Sequence, residues 1–87
     1  MRQYIRDNAL YWLTEFRFDG LRVDGTKWIR ATDDGGTELP DGWSLLQWLN
    51  NEIDAHDSGK LIICEDLAGN DWMTKTTSEG GAGFDSQ

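Results

Sequence analysis

The stretch FDGLRVDGTKWI, Phe18 to Ile29, opens with alternation. In an extended chain Leu21 and Val23 fall on one face and Arg22 and Asp24 on the other. Residues Arg17 to Val23 therefore read as a short strand with a tight turn at Gly20, and Asp24 stands at its end. A guanidinium and a carboxylate on one face are costly to bury unless they pair. A second strand is legible at Leu61-Ile62-Ile63-Cys64, a continuous apolar run of the kind covered on both faces in a parallel sheet. The same parity puts Leu61, Ile63 and Glu65 on one face, with Glu65 at the strand end.

Outward from these strands the chain alternates in type. Upstream, Tyr4 to Phe16 carries Ile5, Ala9, Trp12, Leu13 and Phe16 at helical spacing, one apolar stripe. Between the strands, Asp33 to Gly42 (DDGGTELPDG) is polar, glycine-rich and contains the only proline, so it reads as a loop. A second helix follows, with Ser44 and Gln47 at capping-box spacing, Leu45, Leu46, Leu49 and Ile53 on its buried side, and Gly59 at its end. Asp66 to Gly83 is polar, and Phe84 to Gln87 can begin a third strand. Helix, strand, helix, strand in this order argues an α/β fold with parallel pairing. Glu65 follows Asp24 by 65 − 24 = 41 residues, ample for the crossover that parallel strands need. Two or three strands close no sheet, so the chain reads as a slice of a larger barrel or sheet.

Composition narrows the function. The 87 residues carry a net charge of −8, which argues against a nucleic-acid partner. No apolar run is long enough to span a membrane. Residues 1–10 (MRQYIRDNAL) lack the apolar core of a signal peptide, which leans towards a cytoplasmic location. A lone cysteine, Cys64, reads as a small buried apolar side chain. No ligand spacing supports a metal, calcium included, in the acidic loop Asp33 to Asp41. Active sites of α/β proteins and eight-stranded barrels sit at the C-terminal ends of their strands, where Asp24 and Glu65 fall. On neighbouring strands about 4.7–4.9 Å apart, such carboxylates fall near the ~5–5.5 Å separation of a retaining glycosidase, whereas an inverting one needs about 6.5–9.5 Å; acids also cap many strands structurally.

At this point FDGLRVDGTKWI resembles the nucleophile region of the α-amylase family of glycoside hydrolases, at the end of that barrel's fourth strand. LIICEDLAGN, Leu61 to Asn70, resembles the region of its general acid, at the end of the fifth. The C-terminal GGAGFDSQ is similar to the approach to the sixth strand in branching and trehalose-releasing relatives. The resemblance implies a part of a (β/α)8 TIM barrel, from about the third helix to the start of the sixth strand, with residues 1–87 as one partial catalytic domain. It implies Asp24 as nucleophile, Arg22 as the cation that orients it and keeps it ionised, and Glu65 as acid and base. Lys27 matches a sugar-contacting position of many amylases, and Trp28 stands where a histidine often follows. The implied substrate is an α-glucan or malto-oligosaccharide, with no cofactor, cut or transferred with retention.

The family's third catalytic carboxylate and its two substrate-binding histidines have no counterpart in these residues, and His56 lies in the polar end of the second helix. The isolated chain is therefore expected to be inert. Desolvation after the apolar run is expected to raise the Glu65 pKa. Lys27 favours an amylase and GGAGFDSQ a branching-type relative, so the subfamily stays open between hydrolase and transglycosylase. Other readings are a sugar-binding module built on exposed tryptophans and a structural α/β fragment. A D-x-D-G-T phosphatase reading fails because Arg22 occupies the nucleophile's position. Asp66 reads as a loop or supporting residue, Asp19 as structural. Trp12, Trp43 and Trp48 read as packing residues, whereas Trp28 and Trp72 fall on loops after strands and could serve as sugar platforms.

Overall fold

A computed structural model describes residues 2–32, 37–57, 59–67 and 70–87, without the side chains of Thr32 and Thr37. The elements are α1 (Arg2–Thr14), β1 (Gly20–Val23), α2 (Thr26–Arg30), β2 (Ala31–Thr32), β3 (Thr37–Glu38), α3 (Pro40–His56) and β4 (Leu61–Cys64). Two 3-10 turns, Asp71–Met73 and Thr77–Glu79, follow β4. The fold is α/β: β1 and β4 pair in parallel, Gly20 against Leu61 through Val23 against Cys64. Ser86 adds a parallel bridge to Ile63, with Asp85 N donating to Ile62 O and Cys64 N to Ser86 O. The expected third strand is thus present as a single bridge on the far side of β4.

The strands are covered on one face. Leu13, Leu46, Leu49, Ile53, Ile62, Cys64, Met73 and Phe84 form the core between α1, α3 and β4, with Leu21 and Val23 packed against it. Burial along β4 alternates: Ile62 and Cys64 are buried while Leu61 is exposed. The expectation that β4 is covered on both faces is corrected here. The apolar run packs its even positions on the helices and leaves its odd ones towards the Arg22 side. Among the described residues, no helix is long and apolar enough to cross a membrane.

Several local boundaries differ from the sequence reading. β1 starts at Gly20 because Arg17 adopts a left-handed φ of 55°, which breaks an extended run. Ser44 and Gln47 are not a capping box. Helix α3 begins four residues earlier, with Pro40 in its first turn and Asp41 beside the positive helix end. Inside the helix, Gln47 Nε2 donates to Gly81 O at 2.9 Å and Ser44 Oγ accepts from Arg2. The helix ends at His56, and Gly59 lies outside it with its N–H on Asp57 Oδ1. A short antiparallel pair joins β2, just before the polar loop, to β3 within it; residues 33–36 of the loop lie outside the described ones.

The α1 stripe also splits. Ala9 and Leu13 face α3, with Arg6 Nη1 on Glu52 Oε1 at 2.9 Å and its guanidinium over the Trp48 ring. Trp12 and Phe16, expected to pack, are exposed. They join Tyr11 and Phe18 in an aromatic cluster where Trp12 stacks on Phe18 at 5.6 Å between centroids. Seating of α3 depends on Gly42, because a Cβ there would lie 1.7 Å from the Ile29 carbonyl oxygen. Gly42→Ala should therefore cost about 2 kcal/mol or more, since backbone rather than a side-chain tip must move. Urea denaturation should show a lowered midpoint, and an unchanged one would sink this account of the α2–α3 contact.

Candidate active site at the strand ends

The register sets Arg22 opposite Ile63, and one step beyond each strand the chain presents Asp24 and Glu65. Glu65 N donates to Val23 O at 2.8 Å, extending the ladder past the last strand residue. The two acids are joined through one cation. Arg22 Nη1 donates to Asp24 Oδ1, and Arg22 Nη2 donates to Glu65 Oε2 at 2.6 Å. Arg22 and Asp24 are largely open to solvent and Glu65 less so. The structure therefore brings together all three residues that the sequence reading paired.

Behind the pair, the turn after β1 is bound to the end of β4. Gly25 takes a left-handed φ of 58°, a conformation glycine adopts without penalty. Its N–H donates to Glu65 Oε1 at 3.0 Å. Thr26 N donates to the Glu65 carbonyl at 2.9 Å, and Thr26 Oγ1 shares its one proton between that carbonyl and Asp66 Oδ2, each 3.0 Å away. The Gly25 N–H and the Arg22 guanidinium stabilise the charged form, so the Glu65 carboxyl lies below its ordinary pKa. This corrects the expectation that burial raises it. Desolvation does oppose the fall, but hydrogen bonding to the carboxylate outweighs it.

Lys27 and Trp28 lie on α2 rather than on a loop. The Lys27 ammonium sits 4.9 Å from the centroid of the Trp28 ring, a cation–π contact. Trp28 is 58% exposed. The positive charge of Lys27 also favours ionised Glu65, which places it on the acidic pair's side. Trp72, 48% exposed, lies with Trp43, Gln47 and Asn70 around a cleft of about 400 Å³. Trp43 is tied to Gly80 O through its indole N–H, in keeping with a packing role.

Asp19 and the histidine fall away from this end. Asp19 O accepts from Leu61 N at the strand starts. His56 hydrogen-bonds Thr14 at the end of α3. Cys64 is buried, which pushes its thiol pKa up. The Asp66 side chain is fully buried, and its carboxylate receives Arg30 Nε at 2.7 Å and Arg30 Nη2 at 2.9 Å, with the shared Thr26 hydroxyl 3.0 Å away. The supporting role read for Asp66 thus acquires partners, Thr26 and Arg30, that the sequence reading missed. The available signal was a second acid directly after Glu65 and a Thr–Arg pair spaced i, i+4, one helical turn apart.

No protein-family model matches the chain. It is similar along nearly its whole length to enzymes named 1,4-alpha-glucan branching enzyme GlgB. The one from Photobacterium profundum is 33% identical over 97 residues, covering 97% of this chain and 13% of the enzyme. That of Corynebacterium jeikeium is 36% identical over 94 residues, with the same coverage. That of Fusobacterium nucleatum is 31% identical over 85 residues, covering 98% of this chain and 14% of the enzyme. The chain thus spans about one seventh of the length of these relatives.

Proposed function

We propose that residues 1–87 form the central part of the catalytic barrel of a retaining α-amylase-family enzyme acting on α-glucosidic bonds of α-glucans, with branching transfer as its reaction. The observation that carries this reading is Arg22 held between Asp24 and Glu65 at neighbouring ends of two parallel strands. The similarity to branching enzymes supports the substrate class and favours transfer over hydrolysis.

In this reading Asp24 attacks the anomeric carbon while the glycosidic oxygen leaves with a proton from Glu65. Glu65 then removes a proton from an acceptor hydroxyl, which displaces Asp24 and restores the original configuration. The acid step needs a protonated Glu65, whereas Gly25 and Arg22 favour the charged form. A bound glucan that excludes water and draws Arg22 towards Asp24 would raise the Glu65 pKa when the proton is needed. Lys27 and Trp28 would border the sugar site. The 87 residues alone would lack the third carboxylate and remain inactive.

The test is incubation of amylose with the full-length protein that carries this segment. Branching predicts new branch-point anomeric resonances in the proton NMR spectrum without a matching rise in reducing ends. A rise in reducing ends alone would replace branching by hydrolysis. Neither change, with the glucan still bound, would leave a sugar-binding module.

A further inference from the structure

We propose that Thr26, Arg30 and Asp66 form a buried clamp that positions the Glu65 carboxylate, so that all three are positioning residues for the acidic pair. The inference rests on the reading of Glu65 as a working carboxylate and extends it to groups that reach no substrate. Arg30 and Asp66 are paired through two hydrogen bonds, with side-chain exposures of 3% and 0%. A buried ion pair of this kind adds little net stability, because desolvating both charges offsets their attraction. Its geometry is nevertheless fixed, since separating the pair inside the protein would leave two uncompensated charges. Asp66 is covalently next to Glu65, and Arg30 closes the helix whose first residue is Thr26.

Thr26 links this pair to the site. It is fully buried, and its Oγ1 lies 3.0 Å from both the Glu65 carbonyl and Asp66 Oδ2. With its own N–H on the same carbonyl, Thr26 holds the Glu65 backbone from two directions. The preceding residue, Gly25, then has its N–H directed at Glu65 Oε1. Displacing Thr26 therefore displaces a donor that determines where the carboxylate sits. The other charged groups near Glu65 are Arg22 from β1, Lys27 from α2 and, through Arg22, Asp24. None of these is altered by substitution within the clamp.

The test compares Thr26→Val, which keeps the shape and removes the hydroxyl, with Thr26→Ser, which keeps the hydroxyl. Glutamate side-chain carboxyl carbons are labelled in the 87-residue chain and titrated by NMR, with the Glu65 signal assigned through Glu65→Gln. The native midpoint should lie below the ordinary glutamate value of about 4.3. Thr26→Val should raise it by about half a unit, the effect of weakening one hydrogen bond to a carboxylate. Thr26→Ser should restore the native value. A folded Thr26→Val chain with an unmoved midpoint would overturn the proposal, as would an equal shift in Thr26→Ser. If Thr26→Val fails to fold, the neutral pair Arg30→Gln with Asp66→Asn takes its place, and the same upward shift is expected. Failure of both to fold would make the cluster a structural staple and end the proposal. Because no turnover is read, the result is independent of whether the glucan reading holds.

Discussion

Asp24→Asn in the full-length protein should abolish glucan turnover for every substrate, by on the order of 10⁴-fold or more. An amide cannot form the glycosyl ester that retention requires, so leaving-group quality makes no difference. Asp24 and Glu65 share Arg22, and neutralising Asp24 leaves the guanidinium with Glu65 alone. The variant should therefore also hold Glu65 more firmly ionised and be a poorer acid. Mass spectrometry of the native protein quenched with a slow glycosyl fluoride should find the sugar on the peptide bearing Asp24. Turnover in Asp24→Asn within tenfold of native, or a label on another residue, would remove Asp24 from the role of nucleophile.

Glu65→Gln should behave differently. Substrates with poor leaving groups, which need a proton from the enzyme, should lose about 10²–10⁴-fold. A glycosyl fluoride needs little protonation to depart and should still glycosylate Asp24. Azide, which attacks without general-base help, should then release the sugar as an azide of retained configuration. The structure adds a second expectation. Loss of the Glu65 charge frees Arg22 to pair wholly with Asp24, so first-step reactivity towards the fluoride should survive. Rescue by azide with retained configuration in Asp24→Asn but not in Glu65→Gln would reverse the two assignments.

Much of the site's geometry could be read from period-two alternation. Parity placed Arg22 beside Asp24, and the positions of Asp24 and Glu65 after short apolar strands put both at one end of a parallel pair. Of the four residues expected on the buried side of α3, Leu46, Leu49 and Ile53 line the core and Leu45 does not; the burial of Cys64 was legible too, because apolar spacing records which side faces inward. The start of α3 was not. Its helical first turn, Pro40 to Gly42, is composed of residues that equally suit a loop, and its seating depends on a backbone contact with Ile29 that no local pattern signals. Helix α2 escaped notice because five residues carry too little periodicity, and with it went the partners of Asp66. The direction of the Glu65 pKa shift was misread for a related reason. An apolar run predicts desolvation, but the stronger influence is a glycine N–H brought in from 40 positions away.

That separation along the chain also sets the order in which the molecule can assemble. The contacts that make the acidic pair join residues about 40 apart: Arg22 to Glu65, Gly25 to Glu65, Thr26 to Asp66. Helices α1 and α3 can form from local interactions, whereas β1 and β4 must first close a long loop whose entropy is lost before any pairing compensates for it. The strand ends are held by that same closure. Refolding should therefore show helical signal early and the hydrogen-exchange protection of the Gly25 amide last, in step with the strand amides. A mutation that slows pairing of β1 with β4 would delay the appearance of the site by the same factor, so the rate of gaining function would measure the crossover itself.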